Sequence, residues 1–192
     1  LIPDDPREKP YFIQTLRALV SAAIAALERI APGAWQFHHL LAALEGQNIG
    51  NVLCRFESTR KVYDTHLNRP HGTPSDVQSS LDSKLAPYRP VAAAWMHADK
   101  LISINEFGES HGTIVLGNND SHREAMGPLN RVLLSLLSEV LMDAPARDKA
   151  YTAIFLDELE ELGRIRSLPS LLNRGPGLNI TLAIGFHDIQ TL

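Results

Sequence analysis

Apolar residues recur at helical spacing early in the chain. Phe12, Leu16, Leu19, Val20, Ala23, Leu27 and Ile30 predict an amphipathic helix over 11–30, with Pro10 where a first-turn proline fits and Pro32-Gly33 as its stop. Phe37, Leu40, Leu41 and Leu44 predict a second helix near 36–45. Thr73-Pro74-Ser75-Asp76 reads as a capping box opening a third through Val77, Leu81 and Leu85. Loops are expected over 68–74 and 87–90. Up to about residue 96 the pattern contains helices and loops only.

After Trp95 the period changes. Gly112-Thr113-Ile114-Val115-Leu116-Gly117 is a short β-branched run between glycines, as a buried strand should be. Gly127-Pro128 is expected to open a helix carrying Leu129, Val132, Leu133, Leu136, Leu137, Val140 and Leu141. Apolar runs at 151–156 and 180–186 enclose another short helix over 168–173. Strand, helix, strand, helix, strand with unbroken apolar strands implies an α/β region whose parallel sheet is covered on both faces. The expected division is an all-α domain over 1–96 and a sheet domain over 97–192.

Composition narrows the class. With 192 residues, 44% of them hydrophobic, the chain can bury a core, and its net charge of −4 excludes a protein that coats nucleic acid by bulk charge. The acidic excess lies mostly after residue 100, so any DNA contact must be local. Arg55, Arg60, Lys61, Arg69, Lys84 and Arg89 give the first half a modest basic character, which also suits a solvated surface. One cysteine, Cys54, forms no internal disulfide and suits a cytosolic setting. No run of about 18 apolar residues suggests a membrane span, and Leu1-Ile2-Pro3-Asp4-Asp5 lacks the features of a signal peptide. The eight histidines show no H-E-x-x-H or Cys-pair spacing, so no metal cluster is expected.

The chemistry concentrates at Ala153-Ile154-Phe155-Leu156-Asp157-Glu158. An apolar run ending in two carboxylates puts both acids at the carboxyl end of a buried parallel strand, where open α/β sheets hold ligands. There, Asp157 would hold the water shell of a Mg²⁺ ion bridging nucleotide phosphates, and Glu158 would orient the attacking water. The same pair could simply cap the next helix.

The segment Asp157-Glu158-Leu159-Glu160-Glu161-Leu162-Gly163-Arg164-Ile165, followed by Leu168-Pro169-Ser170-Leu171-Leu172, resembles the Walker B segment of VirD4/TraD/TraG-type coupling ATPases of type IV secretion and conjugation. Leu182 to Leu192 is similar to that family's sensor strand, Thr113 to Asn119 and Gly127-Pro128-Leu129 to an upstream strand and helix start, and Pro10-Tyr11-Phe12 to the opening of its inserted all-α domain. The resemblance implies a partial RecA-like P-loop NTPase sheet with a helical domain, acting with ATP and Mg²⁺. It also implies homo-hexamers at the cytoplasmic face of the bacterial inner membrane. DNA or a relaxase–DNA complex and the secretion channel would be the partners.

Asp157 then implies a metal and cofactor ligand, and Glu158 a catalytic base. His187 stands where the family has a glutamine reaching the γ-phosphate. Arg174 is the nearest counterpart of an arginine that reaches a neighbouring subunit's nucleotide, although it also suits a helix C-terminus as a plain cation. No G-x-x-x-x-G-K-S/T occurs, and by the family's order that loop belongs before Leu1. The chain alone is therefore expected to be inactive. A non-catalytic adaptor with a decayed nucleotide site is the alternative, favoured by His187 and Pro176.

Overall fold

The computed structural model describes residues 1–2, 8–68, 74–109, 112–117, 120–143, 151–157, 159–163 and 165–186. They form two compact units, Leu1–Asp99 and Lys100–Leu192.

The first unit is helical. Helix α1 (Pro10–Ile30) starts with proline at its first turn after an extended Lys9. Ile13, Leu16, Leu19, Val20, Ala23, Ala26 and Leu27 form its buried stripe, while Ile30 is exposed. Leu16 and Leu19 are fully buried, each contributing about 1.5–3 kcal/mol. Around α1 pack α2 (Phe37–Leu44), α3 (Asn48–Leu53), α4 (Glu57–His66) and α5 (Pro74–Leu85). A 3-10 turn over Ala86–Tyr88 then leads into α6 (Arg89–Met96).

Three of these helices depart from the sequence pattern. The short α3 and α4 lack a long apolar stripe and are held by specific contacts: Thr59 Oγ1 donates to the Leu53 carbonyl at 2.6 Å, tying one helix to the other. Residues 87–90 are not a loop. Pro87 sits in the 3-10 turn and Pro90 in the first turn of α6, where a missing N–H costs nothing. The capping box expected at Thr73 lies outside the described residues. A capping box does form at α2, between Gln36 and His39.

The second unit contains α7 (Ile104–Glu109), a 3-10 turn (Asp120–His122), α8 (Arg123–Asp143), β1 (Thr152–Leu156), α9 (Leu159–Leu162), α10 (Leu168–Arg174), a 3-10 turn (Gly175–Leu178) and β2 (Ile180–Ile184). β1 and β2 pair in parallel, Thr152 opposite Ile180 and Leu156 opposite Ile184. Leu134, Ile154, Leu156, Ile165, Leu171 and Ile180 form the core.

Here too the pattern is corrected. Residues 112–117 are not a strand: they pair with neither β1 nor β2, and Val115 is 85% exposed. β-branched composition favours a pleated, half-buried surface but cannot supply the neighbouring strand that makes one. The run is tethered instead through its end, the Asn130 amide donating to the Gly117 carbonyl at 3.1 Å. Helix α8 begins four residues before Gly127-Pro128, so the proline lies inside it and removes one intrahelical hydrogen bond. The buried stripe of α8 runs through Asn130, Leu134 and Ser138, leaving Val132 and Leu136 exposed. Ser138 is satisfied by donating to the Leu134 carbonyl at 2.6 Å.

The sheet is covered on one face among the described residues. Ile154, Leu156 and Ile180 point inward, whereas Ala153, Phe155, Thr181 and Ala183 are exposed. Both α1 and α8 are 21 residues long with mean hydropathies of 1.3 and 1.2 over 18 residues, long and apolar enough to cross a membrane by length and composition only, a test that the core helix of a soluble protein also passes. Half of that α1 window is nevertheless buried against its own unit.

Candidate functional site

The sequence places its chemistry where β1 ends, and the backbone there is fixed on both sides. β1 alternates inward Ile154 and Leu156 with outward Ala153 and Phe155, so the core sets its register. Immediately past Leu156 the strand stops and Asp157 emerges at the carboxyl end, the end at which parallel sheets present ligands. The Gly185 N–H donates to the Leu156 carbonyl at 2.7 Å, and the Leu159 N–H donates to the Gly185 carbonyl at 3.3 Å. Both backbone groups of Gly185 are thereby committed to the chain on either side of Asp157.

The Asp157 side chain lies over Gly185. A β-carbon at 185 would stand 2.6 Å from Asp157 Oδ1. That relationship was not foreseen from sequence. Its only trace there is a glycine directly following the apolar strand at 180–184.

Of the other expected site residues, Glu158 and His187 lie outside the described residues. Arg174 is described, exposed, and closes α10. The turn after it leads into the amino end of β2, and because the strands run parallel that is the end away from Asp157. A five-residue strand separates the two ends by about 13 Å. Arg174 and Asp157 are therefore not brought together within this chain. An open cavity of about 390 Å³, lined by Tyr151, Leu172, Pro176 and Thr181 among others, also lies at that amino end.

Could this end hold Mg²⁺? Among the described residues no group of three or more His, Cys, Asp or Glu is placed around a common point. Mg²⁺ does not need one: it keeps several waters and takes one or two carboxylates together with substrate phosphates. One carboxylate, that of Asp157, at a strand end with an open Cα next to it fits that mode of binding. It would not fit a transition metal held by protein ligands alone.

In the helical unit the expected cations divide by their partners. Lys61 pairs with Glu57 at 3.0 Å, Lys84 with Glu8 at 2.8 Å and Arg89 with Glu45 at 3.1 Å. Arg69 lies outside the described residues. Arg55 and Arg60 are exposed and make no ion pair or side-chain hydrogen bond among the described residues. Arg29 reaches the same corner from α1, donating to Ser58 Oγ at 3.2 Å and lying 5.3 Å over the Phe56 ring.

Nearby, at the start of α2, the His38 and His39 rings stack at 3.9 Å. The Gln36 N–H donates to His39 Nδ1 at 2.9 Å, which fixes that nitrogen as an acceptor. His38 Nδ1 is buried without a partner. Burial, and then the neighbouring His39, hold the His38 pKa below its ordinary value.

Comparison with known proteins adds the family. A search of curated proteins yields no match. The family model described as the type IV secretion-system coupling protein DNA-binding domain matches residues 1–192, the whole of this sequence. The chain, whose first unit is helical with exposed arginines and whose second carries parallel strands with an acid at their carboxyl end, thus belongs to the type IV secretion-system coupling proteins.

Proposed function

We propose that this chain contributes the DNA-contacting helical domain and the second half of a RecA-like nucleotide site to a coupling ATPase that moves DNA, or a relaxase–DNA complex, into a type IV secretion channel. The observation that carries the reading is Asp157 at the carboxyl end of β1, with β2 parallel beside it. Within a family whose description is DNA binding, an acid so placed suits a motor better than an inert scaffold.

Asp157 would hold Mg²⁺ through its water shell, alongside the nucleotide phosphates. The bound ion would neutralise phosphate charge as the terminal phosphoryl group leaves. Glu158 would orient the attacking water and accept its proton, and His187 would donate a hydrogen bond toward the nucleotide's terminal phosphate. Arg174, exposed at the opposite end of its own sheet, would serve a neighbouring subunit's nucleotide in a ring such as a homo-hexamer. The exposed face carrying Phe155 supports further layers of a RecA-like fold packing there. The cytoplasmic face of the inner membrane is the place such a motor would work. On its own the chain lacks the phosphate loop, so it neither binds ATP tightly nor hydrolyses it.

The test is DNA-stimulated ATP hydrolysis by the full-length protein carrying Glu158→Gln. Loss of turnover with retained nucleotide binding is the expected result. Turnover equal to that of the unaltered protein, or none in either, would remove the motor reading and leave the adaptor.

A further inference from the structure

The geometry points to Gly185 as a positioning residue for Asp157: its bare Cα reserves the space in which the carboxylate lies across the end of β2. This rests on the reading of Asp157 as a divalent-ion ligand and adds a residue to that site.

Glycines are most often required by their backbone, but Gly185 is not among the glycines with positive φ. Its requirement is spatial. An added β-carbon would meet Asp157 Oδ1 at 2.6 Å, Asp157 Cα at 3.6 Å and Asp157 Cγ at 3.7 Å. Only the first is a clash, and it falls on the far end of a side chain that can turn; the other two are ordinary contacts of the same residue. Relief by backbone movement is blocked, because the Gly185 N–H is held by Leu156 at 2.7 Å and its carbonyl receives the Leu159 N–H. Below these bonds, Ile154 and Leu156 are locked in the core. The movable part is therefore the carboxylate, which must swing away from the strand ends.

A carboxylate that has swung away still folds and still carries its charge, yet no longer presents its oxygens where the two strands converge. Gly185 thus sets where the acid points without touching any ligand itself. Gly175 in the same unit differs: a β-carbon there would meet Ile180 backbone and side-chain atoms, which are structural contacts.

The experiment uses the 192-residue chain with Mn²⁺ alone as a paramagnetic probe, read by broadening of backbone amide signals at 157 and 185, together with thermal melts. Unaltered chain should show saturable local broadening, and Asp157→Ala should abolish it. Gly185→Ala should retain its circular dichroism but need about tenfold more Mn²⁺. Any lowering of its Tm should disappear when Asp157→Ala is already present, since the obstructed carboxylate is then gone.

An unchanged Mn²⁺ midpoint in Gly185→Ala, or an equal Tm loss in both backgrounds, overturns the positioning role. Broadening that survives Asp157→Ala instead overturns the divalent reading, and the melting cycle then decides the role of Gly185. Should Gly185→Ala fail to fold, a folded Asp157→Ala/Gly185→Ala chain supports the inference, and an unfolded one overturns it.

Discussion

The hydroxyl of Tyr88 donates a hydrogen bond to the carbonyl of Leu1 at 2.8 Å, joining positions 87 apart in sequence. Tyr88 is otherwise buried, its ring meeting Phe37 edge-on at 6.1 Å. One side chain thus anchors the first residues and fills the gap between α2 and α6.

Tyr88→Phe keeps the ring and removes only the donor, so it should cost about 0.5–1.5 kcal/mol. Tyr88→Ala removes the ring as well and should cost about 3–5 kcal/mol. Urea unfolding of the two variants checks this. Equal losses would mean that the ring contributes nothing beyond the hydroxyl.

His38 makes stability pH-dependent with a definite sign. Its pKa is lower in the folded chain than in the unfolded one, by burial first and His39 second, so the unfolded state binds more protons on acidification. Its contribution is complete above the unfolded value near 6.5 and is lost as pH falls through that value toward the folded one. The titratable neighbour stacked on it among the described residues is His39. His38→Phe should flatten the fall in Tm between about pH 7 and 5, as measured by melts in matched ionic strength.

If the helical unit meets DNA phosphates, Arg55 and Arg60, exposed and without an ion pair among the described residues, are cations it can offer. Arg55→Glu/Arg60→Glu should weaken binding of a labelled DNA duplex regardless of its sequence. The slope of log affinity against log salt should fall by about 1–2. Lys84→Glu, which loses a cation already paired with Glu8, should leave that slope unchanged. Fluorescence anisotropy at several salt concentrations separates these outcomes.

The correction at 112–117 is also measurable. Val115 is exposed, so Val115→Asp should change stability by no more than about 0.5 kcal/mol, whereas Ile154→Asp buries an unpaired charge and should unfold the second unit. A large loss from Val115→Asp would restore the strand.

What the sequence shows depends on how local the determinant is. β1, β2, α1, α2 and α10 carry their own periodicity, with a first-turn proline in α1 and α10, and each forms within a few residues of the pattern. α4 has no comparable apolar stripe: Thr59 is its buried residue, and its hold on α3 is a hydrogen bond visible only in three dimensions. The 112–117 run failed in the opposite way, with ideal local composition and no strand to join. On α8 two apolar stripes compete, and the choice of the Leu134 stripe is made by the core, through the back-bonded Ser138 and the tethered Asn130. Asp157 was legible because an acid after an apolar strand is a one-dimensional pattern. Gly185 was not, because the need for empty space beside a carboxylate is written 28 positions away.

The single-sided burial of the strand pair has a practical consequence. The two parallel strands are sustained by the helices packed on their inner face, and each keeps an unpaired rim among the described residues. With Phe155 open to solvent on the same platform, residues 100–192 expressed apart from their neighbours should adhere to one another as concentration rises. The helical half, which presents no such rim among its described residues, should stay dispersed under the same conditions.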